Sequence, residues 1–559
     1  MVAALVDPED VLRILLHRLV VAFLRRTCRH DVGDHASLPK IGQQLYCGRH
    51  AFVAFDQDHG FEAFGRTVPH QHRQSLDPRG PADCGRRRAA EAFHHPIIAT
   101  AAKDRALAAE PSGRLAALVG NEFERGVAII IEAAHEAFLD WRTKSHEERA
   151  PYLRKIADVL RANADRFAEL MTREMGKLLR DGKTEVEICA RIFEYTTDNG
   201  PSELADEERT HSGGKKRGIV TYSPIGVIYS VQPWNFPVYQ PVRVLAANLM
   251  AGNSVILKHA SICTGSGLLL RDLCLDAGLP EGLFDVVLID HDLSDKIIEH
   301  DLVRAVTMTG SDGAGSHIGE LASKNLKKTV LELGSNDAYL VLEDADIETA
   351  VKTCVQGRLY NNGETCVSAK RFVVTDAVYD EFVSAFVEAM KNVTMGDPTK
   401  DETQLGPLSS REQFDTIVEQ VNKSLEAGAK LLCGGDPIDG EGCYYPATVL
   451  AECKPGMPAY DDELFGPVAS VIRAKDDDDA MRIANDSRYG LGGGIFSRNE
   501  DRAIELACNH FDTGMVRING FGIAAPNMPF GGVKDSGFGR EHGGFGMKEF
   551  VNVKAVFVY

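Results

Sequence analysis

The sequence predicts an α/β protein built from two doubly wound domains in succession. Between residues 215 and 333, short apolar strands alternate with segments of helical periodicity, and a second series of this kind starts at Arg371. Both series follow a region in which apolar residues recur at helical spacing. Because a helix between two strands carries the chain back to the same end of the sheet, the alternation favours parallel strands with helices packed against them.

The order of the elements follows from these periodicities. Apolar residues lie on one helical face from Val127 to Trp141 and again from Leu153 to Phe167, so these helices should pack that face inward. The predicted strands are 226–231, 254–257, 284–289, 305–309 and 330–333 in the first series, and 371–374, 469–472 and 514–519 in the second. Residues 551–559 are predicted to form a final strand, which needs the edge of another strand as its partner.

The first 115 or so residues are unlike the rest of the chain. Arginine and histidine are frequent there, and segments such as 69–73 and 86–88 sustain neither a helical nor a strand period. One interpretation is a basic arm that binds an anionic partner. We favour the other, that residues 1–120 are a poorly ordered or even spurious extension from an early start codon.

Composition restricts the possible classes of function. The formal net charge of -19 disfavours nucleic-acid binding by the protein as a whole, because phosphate attraction needs a basic surface. The apolar stretch 11–24 is interrupted by charged residues and is shorter than the roughly 20 residues that span a bilayer, so no membrane segment is expected. The 12 cysteines include no C-x-x-C pair, which disfavours a metal site and fits a reducing, cytoplasmic compartment.

One cysteine and one glutamate stand out within the two series. Cys366 follows a glycine-containing turn, with the sequence NNGETC at 361–366, although a lone cysteine is more often a core residue. Glu332 ends a predicted apolar strand and is followed by Gly334, in the sequence LELGSN at 331–336. A carboxylate at that place is poorly placed for a surface ion pair, but it is well placed to line a cleft at the carboxyl end of the sheet.

Six segments, in their order along the chain, resemble the signature of the aldehyde dehydrogenase superfamily. They are PWNFP at 233–237, TGS at 309–311, LELG at 331–334, GETC at 363–366, ELFGP at 463–467 and PFGG at 529–532. The similarity covers about residues 125 to 559. The ordered set is highly specific, even though each short motif could arise by chance.

The resemblance implies a mechanism through a cysteine thioester. The Cys366 thiolate would attack the aldehyde carbonyl, and the side-chain amide of Asn235 together with the Cys366 backbone N–H would stabilise the resulting oxyanion. Glu332 would activate the water that hydrolyses the thioester, helped by a raised carboxylate pKa in a partly apolar site. The structural alternatives are a helix cap for Asn235 and a salt bridge for Glu332.

The resemblance also implies NAD or NADP as cofactor, although the usual G-x-G-x-x-G is absent. The segment 310–315 resembles the family's turn from a strand into a helix N-terminus that faces the pyrophosphate. The residues implied at the cofactor are Trp234, Lys258, Ser261, Gly310, Ser311, Gly315, Glu463 and Phe465. Lys258 would bind ribose, while Glu463 and Phe465 would hold the nicotinamide ribose and ring. Taken alone, each would be read as a solvated charge or a core aromatic.

Three residues depart from the family pattern. Ser261 stands where many NAD-specific members carry glutamate, which predicts that NADP is accepted. Glu364 replaces the usual glutamine two residues before Cys366, and Ser335 replaces the second glycine after Glu332. The family's N-terminal strand motif is also missing before the first helices.

The same resemblance implies the division of the chain. Residues 125–333 would form the NAD(P)-binding domain and residues 334–540 the catalytic domain. An oligomerisation arm would combine residues near 206–224 with the final strand within 541–559. Because that strand otherwise leaves an unpaired edge, a homodimer or homotetramer is expected.

The chain most resembles the succinate-semialdehyde dehydrogenase branch, which implies a small aldehyde with a distal carboxylate. Arg243 stands where that branch places an arginine, and its planar fork can bind a carboxylate bidentately; the alternative is a surface arginine. The branch's second arginine is Tyr360 here, with Arg358 two residues further back. Residues 524–525 are alanines where a substrate-binding serine would be expected. The first choice of substrate is therefore a four-carbon aldehyde with a distal carboxylate, and glutarate semialdehyde or an uncharged aliphatic aldehyde is the alternative.

Two rival functions use the same fold. A CoA-acylating dehydrogenase would release the thioester to CoA rather than to water, and the presence of Glu332 argues against it. A catalytically idle scaffold is disfavoured because Cys366, Glu332 and Asn235 are all present.

Overall fold

The computed structural model describes residues 52–56, 60–64 and 113–559, except 439 and 441. Strands β1 (Phe52–Asp56) and β2 (Gly60–Phe64) pair with each other in antiparallel fashion. The rest of the predicted extension, up to residue 112, lies outside the described residues.

The main body begins with four helices and a pair of strands. They are α1 (Gly113–Trp141), α2 (His146–Ala162), α3 (Ala164–Met175), α4 (Leu179–Glu203), β3 (Glu207–His211) and β4 (Lys216–Pro224). Helix α2 starts with a capping box, in which the Ser145 hydroxyl accepts from the Glu148 N–H and the Glu148 carboxylate accepts from the Ser145 N–H. Asn163 divides the apolar run from Leu153 to Phe167 between α2 and α3.

The first large sheet contains the five strands predicted for the first series. The elements are β5 (Val227–Gln232), α5 (Tyr239–Ala251), β6 (Ser254–His259), α6 (Thr264–Asp276), β7 (Phe284–Val286), α7 (His291–Glu299), β8 (Val303–Thr309), α8 (Asp312–Lys324) and β9 (Lys328–Glu332). These strands are parallel, in the order β9-β8-β5-β6-β7. Strand β7 is shorter than predicted and ends at Val286, although the Val287 N–H still donates to the Leu257 carbonyl oxygen of β6 at 2.9 Å and residues 287–289 are buried.

The second large sheet follows a short crossing between Glu332 and Ala338. Its elements are β10 (Ala338–Val341), α9 (Ile347–Leu359), β11 (Arg371–Thr375), α10 (Tyr379–Lys391), α11 (Arg411–Glu426), β12 (Lys430–Cys433), β13 (Thr448–Ala451), α12 (Pro458–Asp461), β14 (Val468–Ala474), α13 (Asp477–Asn485), β16 (Gly493–Phe496), α14 (Glu500–Asn509) and β17 (Arg517–Ile518). Between α13 and β16, the short strand β15 (Tyr489–Gly490) pairs instead with residues 533–534 in a separate two-stranded sheet. The order is β12-β13-β14-β11-β10-β16-β17, with only β12 antiparallel. The predicted strand 514–519 is reduced to β17.

The end of the chain returns to earlier elements. It contains β18 (Val533–Lys534), β19 (Gly537–Phe538), α15 (Gly543–Glu549) and β20 (Val551–Phe557). Strand β19 joins the edge of the first sheet beside β9, in antiparallel orientation. Strand β20 pairs with β4 along its whole length, so the final strand and the segment near 206–224 form one three-stranded sheet.

Both large sheets are buried on their two faces. In β5, Ile228 packs into one apolar cluster, while its neighbours Val227 and Tyr229 pack into another on the opposite face. In β10, Leu340 and Tyr339 divide between two clusters in the same way. This arrangement explains why the strands are continuous apolar runs rather than alternating ones. Within the described residues, no helix is long and apolar enough to cross a bilayer.

Candidate active site

The residues predicted from the first series meet at one edge of the first sheet. Asn235 follows β5, Lys258 lies near the end of β6, Gly310 follows β8, and Glu332 is the last residue of β9. Because these strands are parallel, their carboxyl ends lie along one edge of the sheet, where open α/β sheets form their binding crevice.

The loop that carries Cys366 depends on unusual backbone conformations. Between α9 and β11, Asn361, Asn362 and Gly363 have φ values of 54°, 58° and 80°, in the left-handed region. A Cβ atom at Gly363 would lie 2.4 Å from the backbone of Gly466, so only glycine fits there. Asparagine tolerates the left-handed region better than most other residues. The NNG sequence therefore shapes the turn that precedes Cys366.

A lysine and a serine side chain hold the carbonyl group of Cys366. The Nζ atom of Lys370 donates to the Cys366 carbonyl oxygen at 2.5 Å, to the Thr365 carbonyl oxygen at 3.1 Å and to the Ser335 hydroxyl at 2.9 Å. The Ser335 hydroxyl in turn donates to the Cys366 carbonyl oxygen. Ser335, which departs from the family pattern, thus supports the cysteine loop.

The thiol of Cys366 lies in an environment that disfavours its ionisation overall. Burial raises its pKa to about 12, while the positive charges of Arg243 and Lys370 oppose the rise. Glu463 and Glu332 raise the pKa further. In this arrangement the thiolate is a minor species at neutral pH.

The Asn235 side chain connects the turn after β5 to the cysteine loop. Its Nδ2 atom donates to the Glu364 carbonyl oxygen at 3.1 Å, and its Oδ1 atom accepts from Gln240 Nε2 at 2.8 Å. An amide has two N–H donors, so one remains beyond the bond to Glu364. Asn361 Nδ2 also bridges the two loops, donating to the carbonyl oxygens of Asn235 and Glu364.

The Glu364 side chain is buried on the other side of the cysteine loop. Its carboxylate accepts from the backbone N–H and the hydroxyl of Ser409, at 3.0 and 2.9 Å. Burial raises the pKa of Glu364 to about 8, and these hydrogen bonds oppose the rise. The glutamate that replaces the family's glutamine thus contacts Ser409.

The Glu332 carboxylate is buried and accepts no hydrogen bond from the described residues. Burial raises its pKa well above the usual range, the nearby Glu541 carboxylate adds to the rise, and Arg243 and Arg540 oppose it. A Cβ atom at Gly531 would lie 2.7 Å from Glu332 Oε1, so the PFGG segment leaves room for this side chain. A desolvated carboxylate of this kind is a strong proton acceptor once it is ionised.

Arg243 is buried in the same region rather than exposed on the surface. Its guanidinium forms an ion pair with Glu541 and donates to the Thr309 hydroxyl at 2.8 Å. Its central carbon lies 4.9 Å from the ring centroid of Phe530. Glu541 was not among the residues predicted from the sequence. Its charge within the glycine-rich segment after Phe530 could have indicated a site residue.

Two further residues, Arg358 and Tyr360, lie near the position of the branch's second arginine. Arg358 is fully buried, and its guanidinium donates to the Gly363 carbonyl oxygen at 2.6 Å. Tyr360 stacks on Phe236, with ring centroids 6.3 Å apart. The described contacts of Arg358 are therefore with the backbone of the cysteine loop.

The turn after β8 provides a helix N-terminus at the sheet edge. The Ser311 hydroxyl caps α8 by accepting from the Ala314 N–H at 3.3 Å, and the Gly310 N–H donates to the Glu332 carbonyl oxygen at 3.0 Å. A Cβ atom at Gly315 would lie 2.3 Å from Leu333, so this glycine permits α8 to pack closely on the sheet. Helix N-termini attract phosphate through their free N–H groups and their dipole.

Lys258 and Ser261 lie at the carboxyl end of β6, on the same edge of the sheet and separated from β8 by β5. Lys258 is partly buried, which lowers its pKa, and Asp290 opposes this effect. Ser261 is exposed and begins the short 3-10 helix Ser261–Cys263 after β6. A lysine and a hydroxyl on the same sheet edge as a helix N-terminus fit the phosphates and ribose of a dinucleotide.

Residues from the part of the chain that forms the second large sheet also lie near this edge. The Phe465 ring meets the Trp234 ring edge to face, with centroids 5.7 Å apart. The Glu463 carboxylate lies 3.3 Å from Lys370 Nζ, and burial raises its pKa while Lys370 opposes the rise. The contact of Phe465 with Trp234 joins a loop before β14 to the loop after β5. No group of three metal-ligating side chains occurs in the part of the chain that the structure describes.

Comparison with known proteins shows the family to which this architecture belongs. The profile of the aldehyde dehydrogenase family matches residues 110–556. A succinate-semialdehyde dehydrogenase [NADP(+)] from Deinococcus radiodurans is 43% identical over 430 residues, which cover 77% of this chain and 90% of the relative. The relative of the same name from Mycobacterium ulcerans is also 43% identical, over 77% of this chain and 94% of its own length.

A solved structure shows the same relationship. The crystal structure of succinic semialdehyde dehydrogenase from Streptococcus pyogenes in complex with NADP+ superposes with a TM-score of 0.76 and 40% identity, over 78% of this chain and 95% of that one. A structure of Gox0499, described by its cofactor and substrate selection, matches at 38% identity over 78% of this chain and 95% of its own.

The environment of Cys366 predicts slow alkylation at neutral pH. Only the thiolate reacts with iodoacetamide, and the raised pKa of Cys366 keeps the thiolate scarce, so the rate should rise about tenfold per pH unit between pH 7 and pH 10. The exposed Cys508 provides a reference in the same molecule, and peptide mass spectrometry separates the two sites. A Cys366 rate that is already independent of pH at pH 7 would contradict this account.

Proposed function

Because this chain belongs to the aldehyde dehydrogenase family, we propose that it oxidises an aldehyde, with succinate semialdehyde as the first choice, through a thioester on Cys366. The observation that carries the proposal is that Cys366, Glu332 and Asn235 lie in the same region, at the edge of a parallel sheet of the kind that binds dinucleotides. NADP or NAD is the cofactor. A second candidate, the CoA-acylating reaction, is not favoured, because it has no need of the buried base Glu332.

The first step is the attack of the Cys366 thiolate on the aldehyde carbonyl, which forms a carbon–sulfur bond and an oxyanion. Arg243 and Lys370 favour the thiolate against the effect of burial. The free N–H of the Asn235 amide and the backbone N–H of Cys366 donate to the oxyanion. When bound, the dinucleotide supplies the hydride acceptor, and the carbon retained on Cys366 becomes a thioester.

The second step is hydrolysis of the thioester. Glu332 takes a proton from water, the resulting hydroxide adds to the carbonyl carbon, and the carbon–sulfur bond breaks to release the carboxylic acid and the Cys366 thiolate. The raised pKa of Glu332 makes the ionised carboxylate a strong base. With its oxygens free of hydrogen bonds from the described residues, the carboxylate can accept that proton directly.

The choice of substrate rests on Arg243. A guanidinium has five N–H donors, and those committed to Glu541 and Thr309 leave others for a substrate carboxylate. The positive charge of Arg243 also acts on the sulfur of Cys366, since it lowers the pKa of that thiol. A carboxylate held there would place an aldehyde of matching length near the thiol.

Oligomerisation is proposed through the arm formed by β3, β4 and β20. Among the strands that the structure describes, none pairs with the outer edge of β3 or of β20. Apolar residues of the final strand are exposed, with Val553 at 58% and Phe557 at 57% of their full exposure. Such an edge is an expected site of pairing with another chain. A homodimer or homotetramer in the cytoplasm accords with this arm and with the free cysteines of the described residues.

Replacing the base should separate the two chemical steps. Glu332→Gln keeps the shape of the side chain but removes the proton acceptor, so hydride transfer should persist while hydrolysis slows at least about a hundredfold. Stopped-flow absorbance should show a burst of one reduced cofactor per active site and then slow turnover. Cys366→Ala, the control, should show neither phase while still binding the dinucleotide. A Glu332→Gln variant that lacks the burst would contradict this division.

Ser261 should permit NADP to be used. A neutral hydroxyl with Lys258 nearby does not repel the 2′-phosphate, whereas a glutamate there would. Ser261→Glu should therefore lower kcat/KM for NADP at least about tenfold while changing that for NAD little, and Ser261→Gln should retain NADP use. Wild-type preference for NAD by a thousandfold, about 4 kcal/mol, would refute the assigned role of Ser261.

Arg243 should confer preference for an acidic aldehyde. The wild type should favour succinate semialdehyde over butyraldehyde in kcat/KM, since both have four carbons but only one carries a carboxylate. Arg243→Ala should reduce this preference at least about tenfold. Arg271→Ala removes another buried arginine, which pairs with Asp272 and Asp285, and should leave the preference unchanged. If Arg243→Ala keeps the preference, the substrate class is open again.

A further inference from the structure

A buried ion pair outside the predicted constellation contacts the turn that carries Asn235. The side chains of Lys177 and Glu185 are each 1% exposed, and Lys177 Nζ lies 2.5 Å from Glu185 Oε2. Lys177 lies in the short connection between α3 and α4, and Glu185 lies in the second turn of α4. Neither residue belongs to the segments that suggested the chemistry.

Lys177 holds the first peptide of the turn. Its Nζ atom donates to the Asn235 backbone oxygen at 2.9 Å and lies 4.1 Å from the ring centroid of Phe236. Asn361 Nδ2 donates to the same oxygen at 2.9 Å. Two donors from different elements therefore fix the carbonyl group of Asn235.

Glu185 holds the other end of the same turn. Its Oε1 atom accepts from the backbone N–H groups of Val238 and Tyr239, at 2.8 and 2.9 Å. These groups begin α5, whose N-cap residue Val238 makes no side-chain cap of its own. A carboxylate is favourable at a helix N-terminus, both as an acceptor and as a negative charge near the dipole. Glu185 thus caps α5 from a distant part of the sequence.

The pair acts on the backbone at both ends of residues 235–239. The position of an amide nitrogen relative to Cys366 depends on where the backbone of Asn235 lies, and oxyanion donors are effective only at the right position. We propose that Lys177 and Glu185 are positioning residues that set the location of the Asn235 amide for oxyanion stabilisation. This inference rests on the proposed function, in which Asn235 donates to the oxyanion.

A structural role alone has a different consequence. If the pair only stabilised the fold, its loss would disturb every reaction of Cys366 to the same extent. If it positions Asn235, its loss slows only those reactions that develop an oxyanion. Acylation of Cys366 by p-nitrophenyl acetate passes through an oxyanion, whereas alkylation by iodoacetamide does not. The ratio of the two rate constants therefore isolates the positioning effect.

The variant must avoid an unpaired buried charge, which could prevent folding. Lys177→Met with Glu185→Gln is neutral, keeps an amide oxygen for Val238 and Tyr239, and removes the donor to Asn235. The matched control is the exposed pair Lys183 and Asp165, 2.7 Å apart, replaced as Lys183→Met with Asp165→Asn. Thermal melting establishes that each full-length variant is folded.

The double variant of Lys177 and Glu185 should lower the acylation rate constant at least tenfold, with alkylation changed less than twofold. Asn235→Ala should lower the same ratio. Because the pair acts through Asn235, adding the double variant to Asn235→Ala should cause little further loss. The control pair should leave both rate constants unchanged.

The outcomes separate this inference from the function on which it rests. Equal loss of acylation and alkylation, or additive effects with Asn235→Ala, would overturn the positioning role alone. An unfolded double variant would do the same, since it would show that the pair is needed for the fold. Unchanged acylation in Asn235→Ala would refute the oxyanion assignment, and the inference with it.

Discussion

The removal of ionisable groups from water is the constraint on which the site around Cys366 depends. Burial is the largest cause of the raised pKa of Cys366, of Glu332 and of Glu463. The uncharged form of each group is favoured more than it would be in solution, because the interior solvates charge poorly. The chemistry needs a thiolate and a carboxylate in the same place. The surrounding structure must therefore supply positive charge while it keeps bulk water out of the site.

Two buried cations partly oppose this effect of burial. Arg243 comes from α5 and is paired with Glu541, and Lys370 precedes β11 and lies near Glu463. Both lower the pKa of Cys366. The Glu541 carboxylate favours the charged form of Arg243 in the interior and raises its pKa, against the effect of burial. Both cations therefore favour the thiolate of Cys366, while burial still leaves the thiol as the main species.

The backbone around the cleft is held by polar side chains rather than by its own secondary structure. The cysteine loop contains left-handed residues at 361–363, whose φ values depart from regular helix and strand geometry. Lys370 and Ser335 satisfy the carbonyl of Cys366, and Lys177 satisfies that of Asn235. Buried carbonyl groups without such partners would cost free energy, so these contacts stabilise the loops and also fix their geometry.

The sequence by itself determined the α/β class, the longer strands and the order of the reactive segments, because apolar periodicity and turn residues are local properties. Short strands such as β10 and β16 were not predicted, because four residues are too few to show a period. The sequence identified Cys366, Glu332 and Asn235 through a resemblance, without their surroundings. Only the tertiary structure decided that Lys177, Lys370 and Glu541 serve those residues. Their partners lie on other elements, and the energy of a buried charge depends on what folding brings beside it.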